Sequence, residues 1–233
     1  MTRPVWAHGL FVLALALPMA CAPARPPFTQ AVTRDALPDA SKATLAFLWP
    51  STSCDTGGYY SLATADGKFV GNLSSGTQLR VSMPPGEHTI FGWSDARAPG
   101  DASVVGLPVL SATLDAGRTY YVRMAFGEWD ETGPREMHMR RTAQRVCYRI
   151  GNVMSAAMNI LTPSSDLWTE MPGWVSELPA LAPDAAGGQA WLDANHDVVA
   201  ARRDLAVGRL AGLRPLARRL STLHAVDGVV PAP

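Results

Sequence analysis

From Ala43 to Phe126 the chain is a succession of short apolar or alternating segments, each closed by a turn signal. That punctuation restricts the fold more than any other feature, because each segment is too short for a helix and too apolar for a loop. Ala43-Thr-Leu-Ala-Phe-Leu-Trp49 reads as a strand with Leu45, Phe47 and Trp49 on one face. Tyr59 to Thr64 is a second strand, and Asp66-Gly67 signals a hairpin into a third at Lys68 to Leu73. Gln78-Leu-Arg-Val-Ser-Met83 alternates strictly, which predicts Leu79, Val81 and Met83 inward and Gln78, Arg80 and Ser82 toward water. Pro84-Pro-Gly-Glu87 has the residues of a type II turn, with Gly86 where positive φ is required, and Glu87 to Trp93 returns. After a loop over Ala96 to Pro108, Val109 to Leu114 and Arg118 to Phe126 are two more strands around the turn Asp115-Ala-Gly117. The last of them places Tyr120, Val122, Met124 and Phe126 on its buried face. Further strand lies between Glu136 and Ile160. Short strands at this spacing predict an antiparallel β-sandwich over residues 43–162.

Beyond Pro163 the apolar period lengthens, which predicts a C-terminal α-helical appendage over residues 163–224 and a frayed tail over 225–233. One helix starts near Ser164/Ser165 and is limited by Pro172. A longer one runs from Gly187/Gly188 to Ala211, with Trp191, Val198, Val199, Leu205 and Leu210 as its apolar points; Pro215 ends it, and a short helix follows from Leu216.

Residues 1–21 read as an export signal: Arg3 supplies the positive charge, Gly9 to Leu17 is the apolar run, and Pro18-Met-Ala-Cys21 is the cleavage zone. The segment resembles the bacterial lipoprotein signal, which makes Cys21 the lipid-attachment residue and the membrane a partner through that anchor. Pro18 and Met19 depart from the usual residues of that motif, and Leu17 lies one position too early. Two other readings stand beside it. Ala20-Cys-Ala22 is also an ordinary A-x-A cleavage site, which would release a soluble periplasmic protein, and the apolar run could be retained as an anchor helix. Ala22 leaves outer-membrane sorting open, and an envelope location facing the periplasm is the expectation. The Pro/Ala-rich residues 22–42 then form an extended tether.

If Cys21 is lipidated or removed, Cys54 and Cys147 remain as a candidate disulfide in an oxidising compartment. Such a bridge would close a loop of roughly 90 residues, worth about 4 kcal/mol in the chain-entropy account. The alternative is two unrelated buried thiols.

The stretch Ala43 to Phe126 resembles a family of small bacterial lipoproteins, one of the numbered families of domains of unknown function. The matching elements are Ala43-Thr-Leu-Ala-Phe-Leu-Trp-Pro50, Asp66-Gly-Lys-Phe-Val-Gly71 with Leu73, Val81-Ser-Met-Pro-Pro-Gly-Glu-His88, and Leu114-Asp-Ala-Gly-Arg-Thr-Tyr-Tyr-Val122. The resemblance implies a small exported β domain, and it carries over neither a catalytic residue nor a ligand.

The remaining constellations carry little chemistry. Met137-His138-Met139 suggests copper, but on a strand the two methionines face away from the histidine. No H-E-x-x-H or zinc-type Cys/His spacing is present, so no metal and no cofactor is expected. Ser74-Ser75 lies in a turn-like run rather than in G-x-S-x-G. Glu128, Asp130 and Glu131 read as a solvated loop without calcium-loop spacing. Formal net charge is zero, which argues against nucleic acid as a partner, yet Arg202, Arg203, Arg209, Arg214, Arg218 and Arg219 form a basic tail with one acid, Asp204, among them. Its stripe of Ala206, Leu210, Leu213, Ala217 and Leu220 either docks on the β domain or rests on anionic lipid, and Gly212 and Pro215 favour docking.

These observations point to a non-enzymatic structural or interaction module of the cell envelope, with another envelope protein as partner and no identified ligand. The alternative is a small-ligand or glycan-binding module with Trp93, Tyr121 or Trp129 as a stacking platform. A hydrolase is the third reading.

Overall fold

The computed structural model describes residues 26–33, 39–50, 59–94, 109–130, 133–136, 157–161, 171–213 and 215–230. Two mixed sheets stack face to face. The first has the order β1 (Thr29–Ala31), β11 (Ala180–Pro183), β5 (Thr77–Met83), β2 (Ala43–Trp49), β8 (Thr119–Asp130) and β10 (Ala157–Leu161), with β9 (Gly133–Glu136) also paired to β8. The second runs β12 (Thr222–Leu223), β7 (Val109–Leu114), β6 (Gly86–Ser94), β3 (Tyr59–Thr64) and β4 (Phe69–Ser74). Helices α1 (Met171–Glu177), α2 (Ala185–Ala194), α3 (His196–Gly212) and α4 (Pro215–Leu220) follow the strands in the chain.

The expected antiparallel sandwich is corrected on one point: both sheets contain parallel pairs. β2 and β8 run parallel from Thr44 opposite Thr119 to Leu48 opposite Arg123. A parallel pair needs a long crossover, and here strands β3 to β7 provide it. Four of those five strands build the second sheet before the chain returns to the first. The C-terminal region adds two more parallel pairs, Leu181 opposite Leu79 and Leu223 opposite Ala112. Segments 163–224 therefore contribute strands to both sheets as well as helices.

β2 lies between β5 and β8 and is buried along its whole length, which explains why its sequence is almost uninterruptedly apolar. Its Leu45, Phe47 and Trp49 enter the space between the sheets, where they join Leu62, Leu79, Ile90, Leu110 and Val122. The Trp49 and Tyr60 rings meet edge to face with centroids 5.6 Å apart, linking the two sheets. Gly67, Gly86 and Gly117 all take positive φ, at the three turns the sequence marked.

Gln78 does not face water as its alternation predicts. It is buried, and its amide nitrogen donates to the carbonyls of Val175 (3.1 Å) and Leu178 (2.8 Å), which fastens the end of α1 to the outer face of the first sheet. The β period fixes only the side of the sheet to which a residue points; it is silent on whether another element covers that side.

The outer face of the second sheet is covered by α2 and α3. Ala63, Phe69, Phe91, Trp93 and Val109 from the sheet pack with Leu192, Val199 and Ala206 from the helices, forming a second core. The expected single helix over 187–211 is broken at Asn195, whose φ of −119° and ψ of 24° are not helical. Asn195 turns its side-chain amide back onto the Trp191 carbonyl at 2.8 Å, closing α2 before α3 begins at His196.

Candidate functional site

The helical layer holds most of the charged side chains singled out in the sequence. Val199, Arg202, Ala206 and Arg209 recur at intervals of 3, 4 and 3 residues, so they share one face of α3. Val199 and Ala206 are buried against the second sheet, which turns that face inward. Two of the basic-tail arginines therefore point toward the core rather than toward solvent. The Arg202 guanidinium carbon lies 5.4 Å from the centre of the Trp93 ring, a cation–π contact. Trp191 from α2 stacks on Trp93 with centroids 6.2 Å apart and planes 15° apart, and Phe91 lies 5.6 Å from Trp93. Burial pushes the Arg209 guanidinium below its ordinary value.

Arg203 and Arg218 are spent locally. Arg203 pairs with Asp204 at 2.9 Å. Arg218 donates to the carbonyl oxygens of Ala211 (2.7 Å) and Leu213 (3.4 Å), groups that the end of α3 leaves without an intrahelical partner. Arg219 is exposed, and Arg214 lies outside the described residues. Of the apolar stripe, Ala206 is buried, Leu210 packs against the second core, and Leu213 is half-buried. The docked arrangement is thus the one observed for α3, with Val199 and Ala206 at the centre of its seam and Leu205 and Leu210 packed beside them.

Where α3 gives way to α4 the surface opens into a cleft of about 530 Å³, lined by Leu213, Pro215, Arg218, Arg219, Thr222 and His224. The lining sets apolar Leu213 and Pro215 beside the Arg219 guanidinium and the His224 imidazole, with the Arg218 guanidinium already engaged by the Ala211 and Leu213 carbonyls, and such a lining suits an anionic group attached to an apolar body.

A second feature lies at the other end of the chain and was not expected from the sequence. Pro26 is buried, and its carbonyl accepts a hydrogen bond from the Thr29 hydroxyl at 2.6 Å. The Pro27 carbonyl accepts from the Asn72 amide at 2.8 Å, and the Phe28 carbonyl accepts from the Asp184 amide at 2.8 Å. The Phe28 ring meets Phe69 edge to face at 6.1 Å, and β1 pairs with β11. Phe28 has φ +52°, a conformation that non-glycine residues adopt at a cost and keep only where packing over-determines it. Residues inside the segment read as a tether are thus fastened to the domain. The sequence signal for this was faint: Phe28 is a lone aromatic within a Pro/Ala-rich run.

The stacking-platform reading loses one of its members. Trp93 is 2% exposed, held under Trp191 and Arg202. Tyr121 is half-buried, and the Trp129 backbone lies in β8, opposite Pro134. Cys21, Cys54 and Cys147 lie outside the described residues, as do Glu131 and Met137-His138-Met139. Among the described residues no three His, Cys, Asp or Glu side chains are grouped to hold a metal ion. No described helix is long and apolar enough to cross a membrane. No family model, curated protein or solved structure matches the chain.

Proposed function

We propose that this protein is an exported envelope protein, attached to a membrane through lipid on Cys21, whose folded domain acts as a non-enzymatic structural or interaction module. The supporting observation is that Pro26 to Ala31 are fastened to the domain. Pro26, five residues after Cys21, is buried, and Pro27, Phe28 and β1 are tied to the body, so the chain is held in the domain close behind the expected site of processing. A chain held in the body this close behind Cys21 fits a signal that is cut away; a retained N-terminal helix would have to leave the body within the same few residues. The module would meet another envelope protein, and the cleft beside Arg218 and Arg219 would take an acidic segment of such a partner.

Cys21→Ser tests the anchor. It should move the protein from the membrane to the soluble fraction and abolish acyl-chain labelling. Wild-type protein that carries no acyl label and fractionates like the variant would refute the lipid anchor. Capture from envelope fractions that is lost in Arg219→Glu would identify the cleft as the docking place.

A further inference from the structure

We infer that the edge formed by β1, the β3–β4 hairpin and the N-terminal end of α2 is the face that the domain holds against the bilayer, with the α4 cleft carried on the opposite edge. The inference rests on lipid attachment at Cys21. Its first support is length. Five Cα steps separate Cys21 from Pro26, and at about 3.6 Å per residue a fully extended chain spans at most about 18 Å. That is less than the breadth of the first sheet, whose six-strand path makes five spacings of about 4.8 Å, or about 24 Å, so Pro26 stays near the headgroups.

The second support is that this leash cannot lengthen by peeling. The carbonyls of Pro27 and Phe28 accept hydrogen bonds from Asn72 and Asp184 of the body, the Pro26 carbonyl accepts from Thr29 within the segment, and the next three residues form β1. Asp184, which donates to Phe28, also caps α2, its carboxylate accepting from the Gly187 amide at 3.1 Å. Gln189 ties the same helix to the β3–β4 hairpin, accepting from the Phe69 amide at 2.9 Å and donating to the Gly67 carbonyl at 3.0 Å. Hairpin, helix end and entry segment are therefore one connected edge.

The third support is the position of the cleft. β4 and β12 are the two ends of the second sheet, four strand spacings apart, which is about 19 Å at about 4.8 Å each. α4 leads directly into β12, on the side away from the entry point. The near edge is suited to headgroups rather than to insertion. Asp66 and Lys68 are exposed at its tip, and the described residues that expose large apolar side chains are Val198, Val207, Val226, Val229 and Val230, none of which belongs to it.

The test uses the full-length lipidated protein in phosphatidylethanolamine–phosphatidylglycerol vesicles carrying a headgroup-attached quencher. A fluorescent amino acid is placed at Lys68 in one sample and at Arg219 in another, both exposed positions. Lys68 should be quenched several-fold more strongly than Arg219. An insertion of about 15 Gly/Ser residues between Arg25 and Pro26, adding roughly 20 Å of mean reach, should remove most of that difference. Absence of acyl label on Cys21 overturns the anchor reading and the inference with it. Acylated protein in which both positions are quenched equally, or in which the difference survives the insertion, overturns the inference and leaves the anchor standing.

Discussion

Replacing Gly188 with alanine should destabilise the protein, whereas the same replacement at Gly208 should stabilise it. Both glycines lie inside helices, and on propensity alone each change gains about 1 kcal/mol. Their surroundings differ. A Cβ on Gly208 meets nothing within 4 Å, while a Cβ on Gly188 would run into the Phe69 ring, 2.6 Å from its Cγ and closer still to Cδ1 and Cε1. The ring has little room to retreat. It stands edge-on to Phe28, and the Phe69 backbone is held by Gln189. Overpacking of this kind costs about 1–3 kcal/mol, and the pinned ring puts Gly188→Ala at the upper end. Subtracting the propensity gain leaves a net loss of about 1–2 kcal/mol, which for a chain of this size lowers Tm by about 3–6 °C. Thermal melts of signal-free protein followed by circular dichroism would measure both variants. A rise in Tm for Gly188→Ala equal to that for Gly208→Ala would refute the close packing of α2 on β4.

Trp191→Ala should cost about 3 kcal/mol through loss of the Trp93 stack and of apolar burial, and Arg202→Ala about 0.5–1 kcal/mol, with a shift of tryptophan fluorescence in both; an unchanged spectrum and melting point would count against the layered core. Asn72→Ala removes the donor to the Pro27 carbonyl and should lower stability by about 1–2 kcal/mol while exposing the entry segment to protease; equal cleavage rates would show that the segment is not held there. The hydrogen bond with Thr64, and then Lys68, holds the Asp66 carboxyl below its ordinary range. Because this pKa is depressed on folding, the contribution is present above the ordinary carboxylate range and fades as pH falls through the folded value. Asp66→Asn should therefore reduce the acid sensitivity of unfolding, and identical pH profiles for variant and wild type would disprove the linkage.

Much of the β architecture is legible in the residues. Ala43–Trp49, Tyr59–Thr64 and Val109–Leu114 form strands with the bounds their apolar runs suggest, and Asp66-Gly67, Gly86 and Gly117 turn the chain where expected. These are local properties. Side-chain alternation assigns a face, and glycine permits positive φ, whichever strand lies alongside. Neighbour and direction are different matters. Leu45 lies beside both Val81 and Tyr120, antiparallel to one and parallel to the other, and the alternation of β2 would look the same with either orientation. Burial behaves likewise: Gln78 and Trp93 are covered because α1, α2 and α3 arrive from residues a hundred positions further along the chain. The arginine tail shows the division most plainly. Its composition suggests a charged surface, and its periodicity allows a docked helix. Which arginines turn inward depends on where α3 lands on the second sheet. Val199 and Ala206 bring Arg202 over Trp93 because that landing site offers an aromatic face, and a long guanidinium side chain can cover such a face while keeping its charge.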